Sequence, residues 1–339
     1  MFQLTPSELE QRRRRCSPLV AKLRKLDREF VTQCNICGTR QNYIIADHDR
    51  YGFSIRTALC AHCGLIYMMD RFTPASYSEF YGSGSYRDLV ASFAVMSREK
   101  KASRSTIKVG NYAADLIGGL QGYLAMDSSA RLLDIGGSNG QVAQALVKAF
   151  GFTATVLDPS REEIEAAKTA GLDGVIGSIE EWQTDEKFDL ILLCKTVEHL
   201  YDLRGALTKI RSFLKPGGLF YCDINDYLEI SRRAGTPQAI SKIDHCFWLT
   251  PETAPVIFGA TGWQIVSIRK TVSPRIMGVL LSAAEEVGEK PEQQLLPPHW
   301  SAQQFRRLRE IEDQWREEGK TSPGNGWFGR KLRKLSRNN

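Results

Sequence analysis

From residue 131 onward, short apolar runs alternate with amphipathic stretches. The apolar runs have the length of strands buried on both faces of a sheet, and they cover residues 131–136, 153–160, 174–177, 188–194, 219–224, 262–268 and 275–283. Helical spacing or helix-forming composition separates them, most clearly over residues 139–150, 203–214 and 251–260. Strands that alternate with helices predict an α/β domain with a mainly parallel sheet covered on both faces.

The first 130 residues follow a different pattern. Leu19, Leu23, Leu26 and Phe30 recur at spacings of four and three, which predicts an amphipathic helix over residues 18–30. Residues 31–70 are rich in Cys, Gly, Asn and Asp and contain apolar runs short enough for short strands. The next stretch, 71–87, is aromatic with many turn-forming residues, and the pattern of 88–124 is helical.

These changes of pattern divide the chain into five segments. The middle three are a cysteine-rich module over 31–70, an aromatic and helical linker over 71–125, and the α/β domain over 126–286. A basic helical segment, 1–30, precedes them, and a basic tail, 287–339, follows.

The net charge of +6 is concentrated in the two terminal segments, so the middle of the chain is mildly acidic. This distribution argues against a nucleic-acid groove across the α/β domain, and it leaves contact of the termini with an anionic membrane surface or an acidic partner open. No apolar run approaches the ~20 residues of a membrane span, and the basic N-terminus has no apolar segment after it. We therefore expect a cytoplasmic protein; its oligomeric state is left open.

A glycine-rich turn, in LLDIGGSNGQ (132–141), lies between a predicted strand and a predicted helix. Glycines let the backbone turn sharply and approach a ligand closely. The turn alone would also suit NAD or FAD, but Gly136, Ser138 and Gly140 do not follow the dinucleotide spacing. Asp134, directly before the turn, would repel a pyrophosphate and attract the ammonium and sulfonium of S-adenosylmethionine. The turn therefore favours S-adenosylmethionine as the ligand.

Two further strand ends are expected to complete this ligand site. Asp158 ends the second predicted strand, where an acid can accept hydrogen bonds from both ribose hydroxyls. Ser178 and Ile179 follow the third strand and are expected to contact adenine. The alternative is that each acid is only a solvated turn residue or a helix cap.

Two C-x2-C pairs in the cysteine-rich module predict a structural zinc site, because four thiolates satisfy a tetrahedral Zn²⁺ and leave no open position. The predicted ligands are Cys34, Cys37, Cys60 and Cys63. Gly38 and Gly64 follow the two pairs, where a positive φ is often needed. The alternatives are four free buried cysteines or, less compatible with a reducing compartment, disulfides. His62 is expected at the surface, with replacement of a cysteine ligand as the alternative.

Residues 131–283 resemble class I S-adenosylmethionine-dependent methyltransferases. LLDIGGSNG is similar to their first motif, VLDPS to their second and FDLILLCKTVEHL to their fourth, and the last two predicted strands are similar to their sixth and antiparallel seventh strands. The resemblance implies a Rossmann-like, doubly wound seven-stranded sheet and an enzyme that transfers methyl groups. It places Asp134, Gly136, Ser138 and Gly140 around the methionine part of the donor, and Cys194-Lys195 beside its methyl group.

The order of zinc ribbon, aromatic linker and catalytic domain resembles bacterial methyltransferases of nucleotide-sugar and polysaccharide pathways, including sugar C-methyltransferases. Glu198-His199 is similar to their Glu/His step after the fourth strand, and KIDHCFWLT (242–250) to their His-containing loop, with His245 at the matching position. The loop has Lys242 and Asp244 where Tyr and Glu are usual, and a basic tail stands in place of a second large domain. The acceptor implied is a sugar, a nucleotide sugar or a polysaccharide precursor, with O-, N- or C-methylation left open.

An acceptor that must lose a proton needs a base, and histidine is the usual one near neutral pH. We predict that His245 is the base, that His199 assists, and that Asp244 or Glu198 orients one of them. The alternative for His199 is a residue that only packs at the start of a helix. Tyr81 and Tyr86, in the linker, either shape the acceptor site or pack within the linker.

Two other classes of function remain at this stage. An RNA methyltransferase would use the ribbon to grip RNA, but residues 31–70 contain three arginines and no lysine, too few for strong phosphate binding. A binding protein with an inactive methyltransferase fold is the second alternative. The acids and glycines of the predicted donor site are all present, which argues against it.

Overall fold

The N-terminal third of the chain combines short strands with four helices. The computed structural model describes residues 4–94, 98–124, 129–273, 275–284 and 296–321, with the side chains of 98–108 and 320–321 left aside. The elements of this third are α1 (Pro6–Leu23), β1 (Arg28–Phe30), β2 (Asn42–His48), β3 (Ser54–Cys60), β4 (Ile66–Met68), β5 (Asp70–Phe72), α2 (Pro74–Gly82), α3 (Ser85–Ala94) and α4 (Arg98–Leu120).

Strands and helices alternate through the rest of the chain, as the hydrophobic pattern predicts. The elements are β6 (Arg131–Ile135), α5 (Gln141–Phe150), β7 (Thr153–Asp158), α6 (Arg161–Thr169), β8 (Asp173–Ile176), β9 (Phe188–Leu193), α7 (Leu203–Ser212), β10 (Leu214–Asn225), α8 (Tyr227–Ala234), β11 (Phe247–Trp248), α9 (Ala254–Gly259), β12 (Trp263–Lys270), β13 (Ile276–Ala283) and α10 (Trp300–Thr321). Two short 3₁₀ turns span Val197–His199 and Pro237–Ala239.

Seven of these strands form one mixed sheet in the order β12-β13-β10-β9-β6-β7-β8. Strands β10, β9, β6, β7 and β8 are parallel, and β13 is antiparallel to both of its neighbours. This confirms the predicted Rossmann-like α/β sheet with an antiparallel last strand. The carboxyl ends of the parallel strands lie along one edge, which is where such folds bind their ligands.

The helix predicted over residues 18–30 begins earlier and ends earlier than its apolar spacing suggests. Thr5 caps α1: its hydroxyl accepts a hydrogen bond from the Glu8 amide at 3.2 Å, and the Glu8 carboxylate accepts one from the Thr5 amide at 2.8 Å. After Leu23 the chain turns, and Arg28–Phe30 pairs with β5 instead of extending the helix. A capping box therefore decided the start of the helix, and tertiary pairing decided its end.

Part of the positive charge of the first segment is used inside the protein. Arg13 donates to the backbone oxygen of Asp49 at 2.7 Å, and Arg12 donates to that of Phe93 at 3.3 Å. The apolar face of α1 is buried as well. This segment is thus a packed helix, while residues 322–339 of the predicted basic tail lie outside the described residues.

Residues 71–87, which the sequence analysis took as turn-rich, are mostly helical. Thr73 caps α2, and Tyr77, Phe80 and Tyr81 follow on one side at the spacing of a helical turn. Tyr77 and Phe80 are buried. Of the Ser and Gly residues that suggested turns, only Ser83 and Gly84 lie between α2 and α3, and the others lie within these helices.

The cysteine-rich module forms a four-stranded antiparallel sheet in the order β11-β4-β3-β2. Its outer strand, β11, comes from the α/β part of the chain: Phe247 pairs with Tyr67, and Trp248 with Ile66. The buried residues of this sheet belong to the same core cluster as one face of the central sheet. The module and the α/β part therefore share a hydrophobic core. In the part of the chain that the structure describes, no helix is both long and apolar enough to cross a membrane.

Candidate functional site

The glycine-rich turn after β6 lies at the carboxyl edge of the sheet and has three residues in the left-handed region. These are Gly136 at φ 68°, Ser138 at φ 51° and Gly140 at φ 73°. A side chain at Gly137 would collide with the strand below, because its Cβ would lie 2.6 Å from Asp134 Oδ2. The turn therefore follows the carboxylate closely and presents backbone to whatever lies above it.

Asp134 lies beneath this turn and is only 1% exposed. Among the described residues neither of its carboxylate oxygens has a hydrogen bond of regular geometry, although the Ala143 amide lies near enough to lower the pKa of Asp134 in part. Burial, followed by the nearby charge of Asp158, raises the pKa of Asp134 to about 7. An orphaned buried carboxyl group under a glycine turn fits a cationic ligand, such as the donor's ammonium or sulfonium, because a nearby positive charge would favour its ionised form.

Asp158 ends β7 and holds the other side of the turn. Its Oδ2 accepts a hydrogen bond from the Ser138 amide at 2.9 Å, and its Oδ1 accepts one from the Ser160 amide at 2.8 Å. The Ser138 hydroxyl donates to Glu163 Oε2 at 2.8 Å. Burial raises the pKa of Asp158. The carboxylate is thus fixed in place beside the glycine-rich turn.

The segment after β8 meets the adenine expectation only in part. Ser178 is half-buried at the edge of the sheet. Ile179, however, is 2% exposed and packs in the core, so its side chain does not face a ligand here. Ile176, at the end of β8 and paired with Asp158, is 39% exposed and offers the apolar surface that we had assigned to Ile179.

Cys194 and Lys195 follow β9 at the same edge. Lys195 adopts φ 54°, and its ammonium lies 4.2 Å from the centre of the Tyr112 ring. Burial raises the pKa of the Cys194 thiol, so this thiol is not poised to act as a nucleophile. Thr196 lies directly against the glycine turn, since a Cβ on Gly136 would be 2.5 Å from Thr196 Cγ2.

Three residues beyond Thr196, His199 meets the loop that carries His245. The two imidazole rings pack edge to face with centroids 4.7 Å apart. His199 Nδ1 lies 2.8 Å from the backbone oxygen of Asp244 and 3.1 Å from the Tyr81 hydroxyl. The structure therefore brings together the three residues that the sequence analysis proposed for catalysis.

The surroundings of this pair are buried and rich in ionisable groups. His245 is 5% exposed, and burial, the Lys242 charge and then His199 lower its pKa well below the usual value. Lys242 Nζ lies 2.6 Å from His245 Nε2 and 3.7 Å from Asp244 Oδ2. Glu198 is buried too, with Oε1 accepting from the Asn225 amide at 2.7 Å. Among the described residues no hydrogen bond joins Glu198 to either histidine, although its carboxylate lies within 4.8 Å of both rings' ligand atoms.

Several contacts that hold the site together involve Glu163, Arg87 or Asn225, which the sequence did not single out. Glu163 holds the Ser138 hydroxyl, and Arg87 from α3 bonds Glu162 at 3.0 Å and also Glu163. Asn225 fixes Glu198. These residues lie one helical turn beyond a motif or at a strand end, and ordinary polar residues at such positions give no signal in a single sequence.

The four predicted zinc ligands converge in the ribbon. Cys34 Sγ lies 3.4 Å from Cys63 Sγ, and Cys37 Sγ lies 3.5 Å from Cys60 Sγ. Zn–S bonds of about 2.3 Å in a tetrahedron place sulfurs about 3.8 Å apart, so the cluster fits one zinc ion. Gly38 and Gly64 have φ of 73° and 71°, as predicted. His62 is exposed and outside the cluster.

The cysteine ribbon also anchors the loop that carries His245. Directly after the second cysteine pair, β4 pairs with β11, and the Met68 amide donates to the Cys246 carbonyl at 2.9 Å. Asp49 Oδ2 accepts from the Ile243 amide at 3.0 Å, and the Tyr77 hydroxyl donates to the Ile243 carbonyl at 2.8 Å. The ribbon therefore positions one of the two histidines.

Comparison with known proteins identifies the domain that carries this site. Residues 108–268 match the family model described as a methyltransferase domain. Together with the seven-stranded mixed sheet, this match shows that the chain contains a class I S-adenosylmethionine-dependent methyltransferase domain.

Curated relatives match a shorter stretch. A ubiquinone biosynthesis O-methyltransferase of Bradyrhizobium sp. is 35% identical over 98 residues, 27% of this chain and 38% of that protein. One of Rickettsia felis is 28% identical over 98 residues, 27% of this chain and 40% of that protein. The chain thus spans well under half the length of these relatives. A solved S-adenosylmethionine-dependent methyltransferase from Clostridium acetobutylicum shares 17% identity with a TM-score of 0.44, covering 54% of this chain and 95% of its own.

Proposed function

We propose that this protein transfers the methyl group of S-adenosylmethionine to a hydroxyl of a small-molecule or glycan acceptor, specifically a sugar, a nucleotide sugar or a polysaccharide precursor. The donor is supported by the methyltransferase domain and the orphaned Asp134 beneath the glycine turn. A hydroxyl acceptor is supported by the paired histidines, because a hydroxyl must lose its proton during transfer. The O-methyltransferase names of the curated relatives point the same way.

The sugar class rests on the resemblance of the ribbon, aromatic linker and His-containing loop to methyltransferases of sugar pathways. The structure joins these three segments: Tyr81 from the linker bonds His199, and the ribbon holds the loop of His245. A sugar ring would find tyrosine rings and buried polar groups here, the mixture of surfaces that suits a small polar ligand.

The donor is already activated as a sulfonium, so the protein's main task is alignment. Asp158 would accept the ribose hydroxyls, the backbone around Ser138 would contact the methionine part, and Asp134 would balance its positive charge. The pair His199 and His245 would take the acceptor proton. Zinc in the ribbon would hold its fold without touching the reaction, because four cysteines fill its coordination.

One observation carries the proposal. Thr196 packs against Gly136 of the donor turn, and the chain reaches His199 only three residues later. The segment that follows β9 therefore connects the donor turn directly to the histidine pair. A base near the donor, on a short rigid link, is what transfer to a hydroxyl requires.

The test is transfer from S-adenosylmethionine with a labelled methyl group to a panel of nucleotide sugars, free glycans and simple phenols, with RNA included. We expect label in a sugar-containing acceptor, and none with the Asp158→Ala variant. Asp185→Ala, which removes an exposed acid away from the turn, is the matched control and should keep full activity. Label in RNA or in phenols alone, with none in sugars, would overturn the proposed acceptor class.

A further inference from the structure

We propose that His199, through its Nε2 atom, is the base that takes the acceptor proton, and that Lys242 holds His245 as a neutral hydrogen-bond donor. This inference deepens the proposed function and rests on it. It reverses the roles that the sequence analysis gave the two histidines, where His245 was the base. The reversal follows from which ring nitrogen of each histidine is already bonded.

His199 has its proton fixed on Nδ1. The backbone oxygen of Asp244, 2.8 Å from Nδ1, can only accept a hydrogen bond, so Nδ1 must donate. The Tyr81 hydroxyl fits the same arrangement, because its oxygen lies 3.1 Å from Nδ1 while it donates to the Asp244 oxygen at 3.5 Å. The other nitrogen, Nε2, then carries the lone pair. No hydrogen bond reaches Nε2 from the described residues, and the ring is half-buried, so Nε2 is the free edge.

In His245 the ring nitrogen that already has a hydrogen-bond partner is Nε2, the reverse of His199. Lys242 Nζ, a group that only donates when charged, lies 2.6 Å from His245 Nε2. Asp244 Oδ2 is farther from that nitrogen, at 3.4 Å, and is not hydrogen-bonded to it. The lysine therefore determines which nitrogen of His245 carries no proton, and this is Nε2. The proton of the neutral ring is then on Nδ1, which is buried without a partner. This places an unused N–H donor beside His199, ring centroid to ring centroid at 4.7 Å.

Burial and the neighbouring charges keep His245 neutral. Burial is the largest cause of its lowered pKa, and Lys242, His199 and Arg50 add to it by disfavouring a positive charge on the ring. Burial lowers the pKa of Lys242, and Asp244 Oδ2, 3.7 Å from Lys242 Nζ, counteracts this by supporting the charge on the lysine. A base whose lone pair is bonded by an ammonium cannot accept a substrate proton at that atom.

The reaction then divides between the two rings. His199 Nε2 takes the hydroxyl proton as the acceptor oxygen forms its bond to the methyl carbon. The carbon–sulfur bond breaks, its electron pair goes to sulfur, and S-adenosylhomocysteine leaves as a neutral thioether. His245 Nδ1–H donates a hydrogen bond to the acceptor and fixes its orientation. Lys242, which stands where the resembling enzymes have tyrosine, is a positioning residue that sets the tautomer of His245.

The inference is tested without any acceptor by long-range ¹H–¹⁵N spectra of the full chain labelled at histidine. Among its five histidines, the signals of His199 and His245 are assigned by their loss in the His199→Gln and His245→Gln variants. We expect both rings in the Nδ1–H form, which is the minor form in water. In Lys242→Met, the His245 signals should change tautomer or mix, while those of His199 stay the same. His199 with its proton on Nε2, or His245 unaffected by Lys242→Met, would overturn the inference.

Kinetics on the acceptor found by the panel give the second readout. Glutamine can donate a hydrogen bond but cannot act as a base. His199→Gln should therefore lower kcat by roughly 10²–10⁴-fold, and His245→Gln by less than about tenfold, with its main effect on KM for the acceptor. Equal losses of kcat in the two variants, with donor binding intact, contradict the division of roles. Because the tautomers are measured without methyl transfer, failure of the proposed acceptor class leaves this test standing.

Discussion

Removing the Asp158 carboxylate should weaken binding of the donor and leave the sheet folded. In the Asp158→Ala variant two backbone amides, those of Ser138 and Ser160, lose their acceptor. The ribose hydroxyls lose theirs at the same time. The acid stands at the last pairing of β7 with β8, and the substitution removes only its side chain, so the strand backbone keeps its pairing.

The magnitude follows from the kind of bond and its burial. A charge-assisted hydrogen bond contributes about 1.5–3 kcal/mol, and a carboxylate that bonds a diol makes two. Asp158 is only 9% exposed, so water replaces it poorly. Part of the loss is recovered when the turn relaxes, which leaves about 1–3 kcal/mol, or a rise of roughly 5–150-fold in Kd.

Isothermal titration calorimetry with S-adenosylhomocysteine, the stable product, measures this change directly. Asp158→Asn keeps the shape and one acceptor oxygen, so its loss should be smaller than that of Asp158→Ala. Asp185→Ala should bind as the wild type does. A Kd for folded Asp158→Ala that stays within about twofold of the wild type would refute the assignment of the ribose site.

Three further outcomes follow from the same contacts. Gly137→Ala should lower the free energy of unfolding by about 1–3 kcal/mol, because its Cβ would lie 2.6 Å from the buried Asp134 carboxylate. In parallel thermal melts the control Gly118→Ala, whose Cβ would lie in open space on a helix, should not destabilise the protein. Asp134→Asn should raise Tm more at about pH 8 than at about pH 4. The reason is that the pKa of the Asp134 carboxyl is raised from 3.8 to about 7 in the folded protein, so ionisation of this group costs stability as the pH rises through that window. An equal change of Tm at both pH values would count against this. Chelation of zinc, checked by elemental analysis, should lower kcat and shift the ring signals of His245 before donor binding is lost, because β4 holds the loop that carries His245. Unchanged His245 signals in the metal-free protein would show that the cysteine cluster and the histidine site are independent.

The α/β sheet was predictable because its strands are buried on both faces, and such strands are continuous apolar runs that a single sequence shows directly. The helix at the N-terminus was misplaced because Leu26 and Phe30 continue its spacing by chance, while β5 offers the segment a strand to pair with. The aromatic linker was misjudged for a related reason: its small residues suggest turns, but Tyr77 and Phe80 bury one side of a helix.

In the candidate site, the residues at strand ends were predictable, and the roles that depend on tertiary contacts were not. Residues fixed by strand ends, such as Asp134 and Asp158, lie where alternation places them. The roles of His199 and His245 depend on the backbone oxygen of Asp244 and on the side chain of Lys242, and a sequence does not show which ring nitrogen meets them. That Ile179 is buried while Ile176 is exposed could not be predicted, because the burial of a single loop side chain depends on how the following turn folds back.

The cysteine-rich module shows that spacing predicts local ligands but not long-range pairing. Cysteine spacing fixes the ligands locally, and the four sulfurs converge as the spacing predicts. That the ribbon would share its sheet with Phe247 and Trp248, almost two hundred residues away in the chain, could not be read from spacing. The packing of these residues into the core of the α/β part is likewise a long-range contact that cysteine spacing does not show.

The most direct test of the account is calorimetric titration of the full chain with S-adenosylmethionine and, separately, with NAD. The glycine turn over the buried Asp134 should bind one S-adenosylmethionine per chain and give no heat of binding with NAD, because the carboxylate attracts a sulfonium and repels a pyrophosphate. Binding of NAD by the folded chain, with no binding of S-adenosylmethionine, would contradict the central claim.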